Sequence, residues 1–172
     1  LKLEEVEYTD HTGELRTWET TARQGKGGAV VMIARLRPSG AFLLIRQYRP
    51  PIDRFVLEFP AGLVDRGEEP EETAVRELRE ETGFRGTITW ISPPTLSSPG
   101  MSREDVTMAL MDVDTEALEN QKPAQCCDEN ENIEVLVKTR DEIPELLRQC
   151  GEEGVRLDSR LVTFFLGMGV VW

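Results

Sequence analysis

Three glutamates in one short stretch of the chain have the type and spacing to bind a metal ion together. Glu77 and Glu81 are four residues apart and Glu80 lies three residues after Glu77, so a helix would place them on neighbouring positions of one side. Like charges at this spacing destabilise an isolated helix by about 0.2–0.5 kcal/mol per pair, and a bound divalent cation would remove that cost. Carboxylate oxygens are the ligands that Mg²⁺ and Mn²⁺ prefer. The alternative is a solvated helix face whose carboxylates pair with Arg76 and Arg79.

The residues on either side predict the helix that this arrangement needs. Pro70 suits a first helical position, and acidic residues follow it in the first turn, where the helix dipole favours them. Gly83 suits the left-handed position that ends a helix. The spacing of Val75, Leu78 and Thr82 predicts that their side of the helix packs on a core.

The whole stretch from Gly62 to Phe84 fits the pattern G-x5-E-x7-R-E-U-x-E-E-x-G-U, in which U is a bulky apolar residue. It resembles the Nudix box, the signature of hydrolases that act on nucleoside diphosphates linked to another moiety. The resemblance implies a loop–helix–loop in which Glu77 and Glu81 bind metal and Glu80 shares this role. It also implies that Arg76 orients a glutamate and that Gly62 allows a tight turn. The nine fixed positions are Gly62, Glu68, Arg76, Glu77, Leu78, Glu80, Glu81, Gly83 and Phe84.

The composition limits the classes of partner. A chain of 172 residues suits one domain with a hydrophobic core. Its formal net charge of −12 argues against nucleic acid, because phosphate binding needs clustered Lys and Arg. An anionic diphosphate substrate would therefore need local arginines and metal ions. No apolar run approaches 18 residues and no signal-peptide pattern is visible, so we expect neither membrane insertion nor export.

The numbers of cysteine and histidine residues limit the reaction mechanisms and the cellular compartments that we expect. Cys126, Cys127 and Cys150 are odd in number and include an adjacent pair, which does not indicate a disulfide framework. A reducing, cytoplasmic location fits this usage best. The one histidine, His11, lies in a predicted turn, which argues against a nucleophilic mechanism that depends on histidine.

Hydrophobic patterning predicts the remaining elements. Residues 1–24 are predicted to form a hairpin arm, and residues 25–172 a single Nudix domain without a linker or repeat. By itself the pattern gives α+β or α/β, whereas the resemblance implies an α/β fold, the Nudix α/β/α sandwich with a mixed sheet and an N-terminal β-hairpin arm. Strands are predicted at 2–9, 15–22, 29–36, 42–49, 55–59, 87–92, 106–113 and 133–137, and further helices at 140–150 and 158–171, with a strand-free tail.

The run RQYRPP at 46–51 and the run EFPAG at 58–62 resemble the ADP-sugar pyrophosphatase branch of the Nudix family. The resemblance implies that Arg49 contacts substrate phosphates and that Arg23 does so near a dimer interface. Arg160 matches another arginine near the site. The planar guanidinium suits phosphate oxygens, although each of these arginines could instead form a surface ion pair.

Other candidate site residues follow from the same resemblance. Glu58 would lie beside the metals, and an unpaired glutamate in an apolar strand would in any case be costly. The carbonyl of Ala61 would be a metal ligand, and Leu63 would contact substrate. Pro99, in a PG step fifteen residues beyond the box, is a mark of the ADP-ribose branch. Trp18 would stack on a nucleobase, or else pack in the core or a dimer contact.

A polar segment at 114–132 ends in a run of acidic residues and could carry a general base. The resemblance implies that a glutamate at the end of this loop is the base, and matching the strand that follows (IEV at 133–135) places it at Glu131. Glu129 is the second candidate and Glu134 the third, because Glu134 falls within the strand. The alternative is a solvated acidic loop.

Together these observations predict a homodimeric enzyme that hydrolyses ADP-ribose to AMP and ribose 5-phosphate with Mg²⁺, or with Mn²⁺. Three alternatives remain open. One is a Nudix hydrolase of another nucleoside diphosphate sugar or of a dinucleoside polyphosphate. The second is a nucleotide-binding module without activity, which the intact set of box glutamates argues against. The third is an RNA-processing Nudix protein, against which the net charge argues.

Overall fold

The computed structural model describes residues 2–23, 27–127 and 132–171. This part of the chain contains eleven strands and three helices. The first strands are β1 (Lys2–Thr9), β2 (Leu15–Ala22), β3 (Ala29–Arg37), β4 (Phe42–Arg49), β5 (Arg54–Glu58) and β6 (Ala61–Leu63). Helix α1 (Pro70–Thr82) follows, then β7 (Thr87–Ile91), β8 (Thr95–Leu96), β9 (Asp105–Asp114), β10 (Ile133–Lys138), α2 (Ile143–Glu153), β11 (Arg156–Leu157) and α3 (Ser159–Gly167).

Nine strands form one mixed sheet around β3. The main order is β11-β5-β4-β3-β9-β7, with β10 also paired to β4, β6 to β3 and β8 to β9. Strand β3 runs parallel to β9 and antiparallel to β6. The pairing of β6 with the beginning of β3 is important for the site, because it holds the start of the glycine loop against the sheet.

Strand β3 reads as a continuous apolar run because both of its faces are buried. Val30 and Met32 belong to the core that also contains residues of α1, whereas Val31 and Ile33 belong to the core that contains residues of α2 and α3. Successive side chains of a strand point to opposite faces, so one strand supplies both cores. The result is the expected α/β/α sandwich, in which α1 is the one described helix on the face that carries the candidate site.

Helix α1 begins and ends as predicted. Pro70 is its first residue, a capping box joins Glu69 and Glu72 at its start, and Gly83 ends it in a left-handed conformation with φ 77°. The prediction for Val75 is wrong, since its side chain is 44% exposed. The buried side of the helix instead follows Ala74, Leu78 and Thr82 at a spacing of four, and it is rotated so that Glu81 is buried as well.

The predicted strand-free tail is wrong, because Arg156 and Leu157 form β11. This short strand pairs in parallel with Val56 and Leu57 of β5. The predicted helix at 140–150 is also shifted. A single 3-10 turn occupies Arg140–Glu142 and α2 then continues to Glu153.

The last helix is shorter than predicted. Asp158 is its N-cap, as expected, and its side chain accepts a hydrogen bond of 2.8 Å from the backbone N of Arg160. The helix ends at Gly167 rather than at 171. The chain turns back there, since the backbone N of Val170 donates to the carbonyl of Phe165 and the Val170 side chain is buried.

The N-terminal hairpin forms a separate two-stranded antiparallel sheet of β1 and β2. It is joined to the 98–102 segment, because Thr21 N donates to the carbonyl of Met101 at 2.8 Å and Trp18 Nε1 donates to the carbonyl of Gly100 at 2.9 Å. Within the described residues, no helix has the length and apolar character needed to cross a membrane.

Candidate active site

A cavity of about 580 Å³ opens where α1, β4 and the β6 loop meet. Both acidic and basic side chains line it. The Ala61, Gly62 and Leu63 backbone contributes one wall, and the charged side chains of α1 contribute another. The full lining comprises Arg23, Ala29, Gln47, Arg49, Ala61, Gly62, Leu63, Asp65, Arg76, Glu77, Glu80, Glu81, Glu104, Cys126 and Arg160.

Arg76 is the centre of the hydrogen bonding in this cavity. Its Nε and Nη2 each donate to the Glu68 carboxylate at 2.8 Å, which is the bidentate geometry of an Arg–carboxylate pair. Its Nη1 donates to Glu77 at 2.8 Å and to Glu80 at 3.0 Å. Nη2 also reaches the carbonyl of Leu63 at 3.3 Å. One guanidinium therefore joins the glycine loop to two acidic residues of the helix.

The charge state of this pair is fixed by its contacts. The hydrogen bonds from Arg76 lower the pKa of Glu68 to about 2, and a hydrogen bond of 2.7 Å from Thr73 Oγ1 contributes in the same direction. The Glu68 contact in turn raises the pKa of the Arg76 guanidinium further above its ordinary value. Both groups therefore stay charged throughout the physiological range.

Gly62 leaves open the space that the Glu77 side chain occupies. A Cβ atom at position 62 would overlap the Glu77 side chain, so a residue with a side chain there would displace this carboxylate. The loop that contains Gly62 also holds the Glu81 side chain. Glu81 is 3% exposed, and its Oε2 accepts a hydrogen bond of 3.0 Å from the backbone N of Ala61. The loop and the helix thus position each other's functional groups.

Three further arginines lie around the cavity, and each is paired with a carboxylate. Arg49 Nε donates to Glu58 at 2.8 Å, which explains how a buried glutamate is tolerated in β5. Arg23 Nε donates to Glu104 at 2.8 Å. Arg160 binds Asp158 through Nε at 2.9 Å and Nη2 at 2.7 Å, and this contact raises the pKa of Arg160. Four arginines of an acidic chain, Arg76 included, are thereby brought to one cavity, each beside a carboxylate.

The structure brings most of the residues predicted from the sequence to this one cavity. Glu58 is placed beside it through its ion pair with Arg49. The members that line it directly are Arg23, Arg49, Ala61, Leu63, Arg76, Glu77, Glu80, Glu81 and Arg160.

Two predicted substrate contacts lie elsewhere in the single chain. Trp18 is 53% exposed and Pro99 is exposed, and neither lines the cavity. They are close to each other, because Trp18 is bonded to the carbonyl of Gly100. The first two candidate bases, Glu131 and Glu129, lie outside the described residues. Glu134, the third, is in an ion pair of 2.6 Å with Arg46 on the exposed part of β10.

Sequence reasoning missed four polar residues that line the cavity, namely Gln47, Asp65, Glu104 and Cys126. The alternation of β4 could have found Gln47, because it lies two residues before Arg49 and so on the same side of the strand. Nothing local marks Glu104 or Cys126. Each reaches the cavity through a distant contact, Glu104 through Arg23 and Cys126 through a hydrogen bond of 2.8 Å from its backbone N to the carbonyl of Glu80.

The candidate metal ligands of this cavity are the carboxylates of Glu77, Glu80 and Glu81 and the carbonyl of Ala61. Oxygen ligands of these kinds suit a hard divalent cation. Glu77 and Glu80 presently share Nη1 of Arg76. As the side chains of the described residues stand, no three His, Cys, Asp or Glu groups are close enough together to hold a metal ion. Metal binding would therefore require these carboxylates to exchange part of their contact with the guanidinium.

A family model described as a NUDIX domain matches residues 25–154, which is more than half of the chain. The chain therefore belongs to the Nudix family of hydrolases, and the residues of its box are those that surround Arg76.

Several characterised and uncharacterised relatives match nearly the whole chain. An uncharacterised Nudix hydrolase of Schizosaccharomyces pombe is 37% identical over 96% of this chain and 84% of its own length. The ADP-ribose pyrophosphatase of Saccharomyces cerevisiae is 32% identical over 92% of this chain and 72% of its own. The ADP-sugar pyrophosphatase of Mus musculus is 32% identical over 98% of this chain and 81% of its own length.

A solved structure supports the fold. The crystal structure of an ADP compounds hydrolase superposes with a TM-score of 0.60 and 23% sequence identity, covering 85% of this chain and 74% of that one. At this identity the likeness establishes the α/β/α architecture alone.

Proposed function

We propose that this protein hydrolyses the pyrophosphate bond of ADP-ribose or a related ADP-sugar in the presence of Mg²⁺, giving AMP and a sugar phosphate. One observation carries the proposal. A single cavity combines the three carboxylates of α1 with Arg23, Arg49 and Arg160, so the proposed metal ligands and phosphate ligands lie side by side. The pyrophosphatase relatives of yeast and mouse favour the ADP-sugar substrate class.

The proposed metal ligands are Glu77, Glu81 and the carbonyl of Ala61, supported by Glu80 and Glu58. A divalent cation bound there would neutralise the diphosphate and lower the pKa of an attacking water. Mn²⁺ is expected to substitute, because it accepts the same oxygen donors. Arg76 would remain bonded to Glu68 and would keep the glycine loop in place while Glu77 and Glu80 change partner.

Arginine side chains are proposed to bind the two phosphates. Arg49 and Arg23 each have a carboxylate partner in the absence of substrate, and a diphosphate would compete with Glu58 and Glu104 for them. Guanidinium groups bind phosphate oxygens in a bidentate manner, so this exchange replaces one charge-assisted contact by another. Leu63, on the cavity wall, is proposed to contact the substrate.

Glu131 remains the proposed general base. The described residues on both sides of it lie beside the cavity. Before it, Cys126 is bonded to the carbonyl of Glu80, and after it, Ile133 pairs with Gln47. Gln125 Nε2 connects the two sides, because it donates to the carbonyls of Glu81 and Ile133 at 2.7 and 3.0 Å.

The hairpin arm, residues 1–24, is proposed to complete the adenine site in a homodimer. Val6 and Trp18 are directly paired and share one face with Tyr8, whose ring meets that of Trp18 edge-on with centroids 6.5 Å apart. This exposed apolar face is suited to a partner subunit and a base. Pro99 would then lie near the base through the contact of Trp18 with the 98–102 segment.

A reducing, cytoplasmic location is part of the proposal. The odd number of cysteines and the adjacent pair Cys126 and Cys127 support this location, because they do not suit a disulfide framework.

Product analysis tests the proposed reaction. Purified protein is incubated with ADP-ribose and Mg²⁺, in parallel with UDP-glucose and diadenosine polyphosphates, and products are separated by ion-exchange chromatography. We expect AMP and ribose 5-phosphate from ADP-ribose, and no turnover when a chelator replaces the metal. Preferred turnover of UDP-glucose or a diadenosine polyphosphate would keep the Nudix chemistry and refute the substrate class. A folded protein without activity on any of them would favour a binding module.

A further inference from the structure

Gln47 holds the one buried side-chain polar atom in the described part of the chain that lacks a hydrogen-bond partner. The residue is 8% exposed, and its Oε1 accepts no hydrogen bond. Buried amide oxygens are nearly always bonded, because an unsatisfied acceptor retains the cost of leaving water without compensation. An orphaned acceptor in a folded protein therefore needs an explanation, such as a catalytic role or a bound group that is not part of the chain.

The position of Gln47 indicates which function. It lines the same cavity as Arg49, and both side chains leave β4 on the face that α1 covers, because they are two residues apart. Ile133 of β10 is its neighbour on one side and Val56 of β5 on the other. The amide thus lies between the proposed phosphate ligand Arg49 and the strand that follows the proposed base.

We propose that the amide oxygen of Gln47 accepts a hydrogen bond from an O–H group of the reacting complex. The partner is either the attacking water or a hydroxyl of the sugar. The inference rests on the proposed function. The oxygen can only accept, so its partner must donate, and ionised phosphate oxygens cannot. Near a diphosphate held by Arg49, water and sugar hydroxyls are the donors within reach of β4.

The substitution Gln47→Met tests this proposal, because methionine has a similar shape and no strong hydrogen-bonding group. We expect the melting temperature of the ligand-free protein to stay constant or rise, since no hydrogen bond is lost. We expect kcat/KM for ADP-ribose with Mg²⁺ to fall roughly 3- to 30-fold, because the bound O–H group loses its acceptor.

Gln125→Met is the matched control. The same substitution there removes an amide whose Nε2 donates to two backbone carbonyls, those of Glu81 and Ile133. We expect this variant to lower the melting temperature, which is the opposite sign to the result at Gln47. A structural role for Gln47 would instead give the two variants the same destabilisation.

The kinetic form of the loss identifies the donor. If the donor is the attacking water, kcat falls on every substrate and KM stays constant. If it is a sugar hydroxyl, the loss disappears with the ADP-ribose analogue in which that hydroxyl of the distal ribose is replaced by hydrogen. Both results support the proposal.

Two results would overturn it. One is a Gln47→Met variant with kcat and KM for ADP-ribose within twofold of the wild type. The other is a drop in melting temperature as large as that of Gln125→Met. If the wild-type protein itself turns over none of the substrates, the proposed function fails. In a protein without turnover no water attacks the substrate, so only the sugar-hydroxyl form of the inference remains. Titration calorimetry with ADP-ribose tests that form, and an unchanged affinity in Gln47→Met would refute it.

Discussion

Arg76 and Glu68 are joined by two parallel hydrogen bonds, from Nε to Oε1 and from Nη2 to Oε2, each 2.8 Å long. Glu68 lies in the loop before α1 and Arg76 lies in the middle of the helix. The pair therefore fixes the loop to the helix, and the third nitrogen of Arg76 remains available to Glu77 and Glu80. This geometry explains why Glu68 and Arg76 are two of the nine fixed positions of the Nudix box.

Replacing Arg76 by lysine is expected to impair the site even though the charge is kept. An ammonium cannot contact both oxygens of Glu68 and two further carboxylates in the same geometry. We expect a loss of about 1–3 kcal/mol in the free energy of unfolding and at least a tenfold lower kcat, because two proposed metal ligands lose their orientation. Urea unfolding and steady-state kinetics measure both. Arg79→Lys is the control, since the Arg79 side chain makes no ion pair with the described residues and should tolerate the change.

The Glu68 pair should contribute to stability in a defined pH range. Its folded-state pKa of about 2 is below the ordinary value of 4.5, so folding favours the ionised carboxylate. The contribution is present above pH 4.5 and is lost as the pH falls from there towards 2. We expect the difference in unfolding free energy between the wild type and Glu68→Gln to shrink over that range. Urea titrations from pH 6 to pH 3 check this, and a difference independent of pH would contradict the assignment.

Gly62→Ala is expected to displace Glu77, because a Cβ at this position overlaps the glutamate side chain. Misplacement of a catalytic group by about 1 Å can cost on the order of 100-fold in rate, so we expect a loss of kcat approaching that size with the fold preserved. Gly151→Ala provides the control. No heavy atom lies near a Cβ at Gly151 in α2, and alanine there should add up to about 1 kcal/mol of stability without changing kcat.

Glu81→Gln is expected to abolish turnover without unfolding the protein. The glutamine amide oxygen can still accept the hydrogen bond from Ala61 N, so the loop remains anchored, while the negative charge proposed to hold the metal is removed. We expect kcat to fall at least about 100-fold, since the metal supplies several kcal/mol of transition-state stabilisation. Circular dichroism monitors the fold. A rate close to the wild type would refute the metal assignment. Glu71→Gln, in the exposed first turn of α1, should retain activity.

Trp18→Ala tests the proposed base site. Stacking on a base contributes about 1–3 kcal/mol, so we expect KM for ADP-ribose to rise roughly tenfold with little change in kcat. Trp90→Ala is matched for exposure, with Trp90 at 52% and Trp18 at 53%, and it lies on β7 away from the arm. It should leave KM unchanged. Equal effects of the two substitutions would indicate general destabilisation instead of stacking, and light scattering would show whether the Trp18 variant still forms the proposed homodimer.

Local interactions explain which elements could be predicted. The helix of the box was predictable because Pro70 and Gly83 set its ends through the conformations that these residues favour. The outward position of Val75 was not, because it depends on how α1 is rotated against the sheet. The strand at Arg156–Leu157 was missed because two residues carry no periodicity, and only the neighbouring β5 defines them as a strand.

The sequence by itself determined the spacing of the box, and with it the chemical identity of the site. Helical periodicity is local, so Glu77, Glu80 and Glu81 had to share one side of a helix wherever that helix packed. The tertiary structure decided which distant groups join them. Glu58 and Glu104 lie near the box because of the order of strands in the main sheet. Arg23, which follows the separate hairpin, reaches them through its ion pair with Glu104 and the contact of Thr21 with Met101. The tertiary structure also left the side-chain oxygen of Gln47 without a hydrogen-bond partner. Burial and hydrogen bonding depend on the neighbours of a residue in space, which the spacing along the chain does not give.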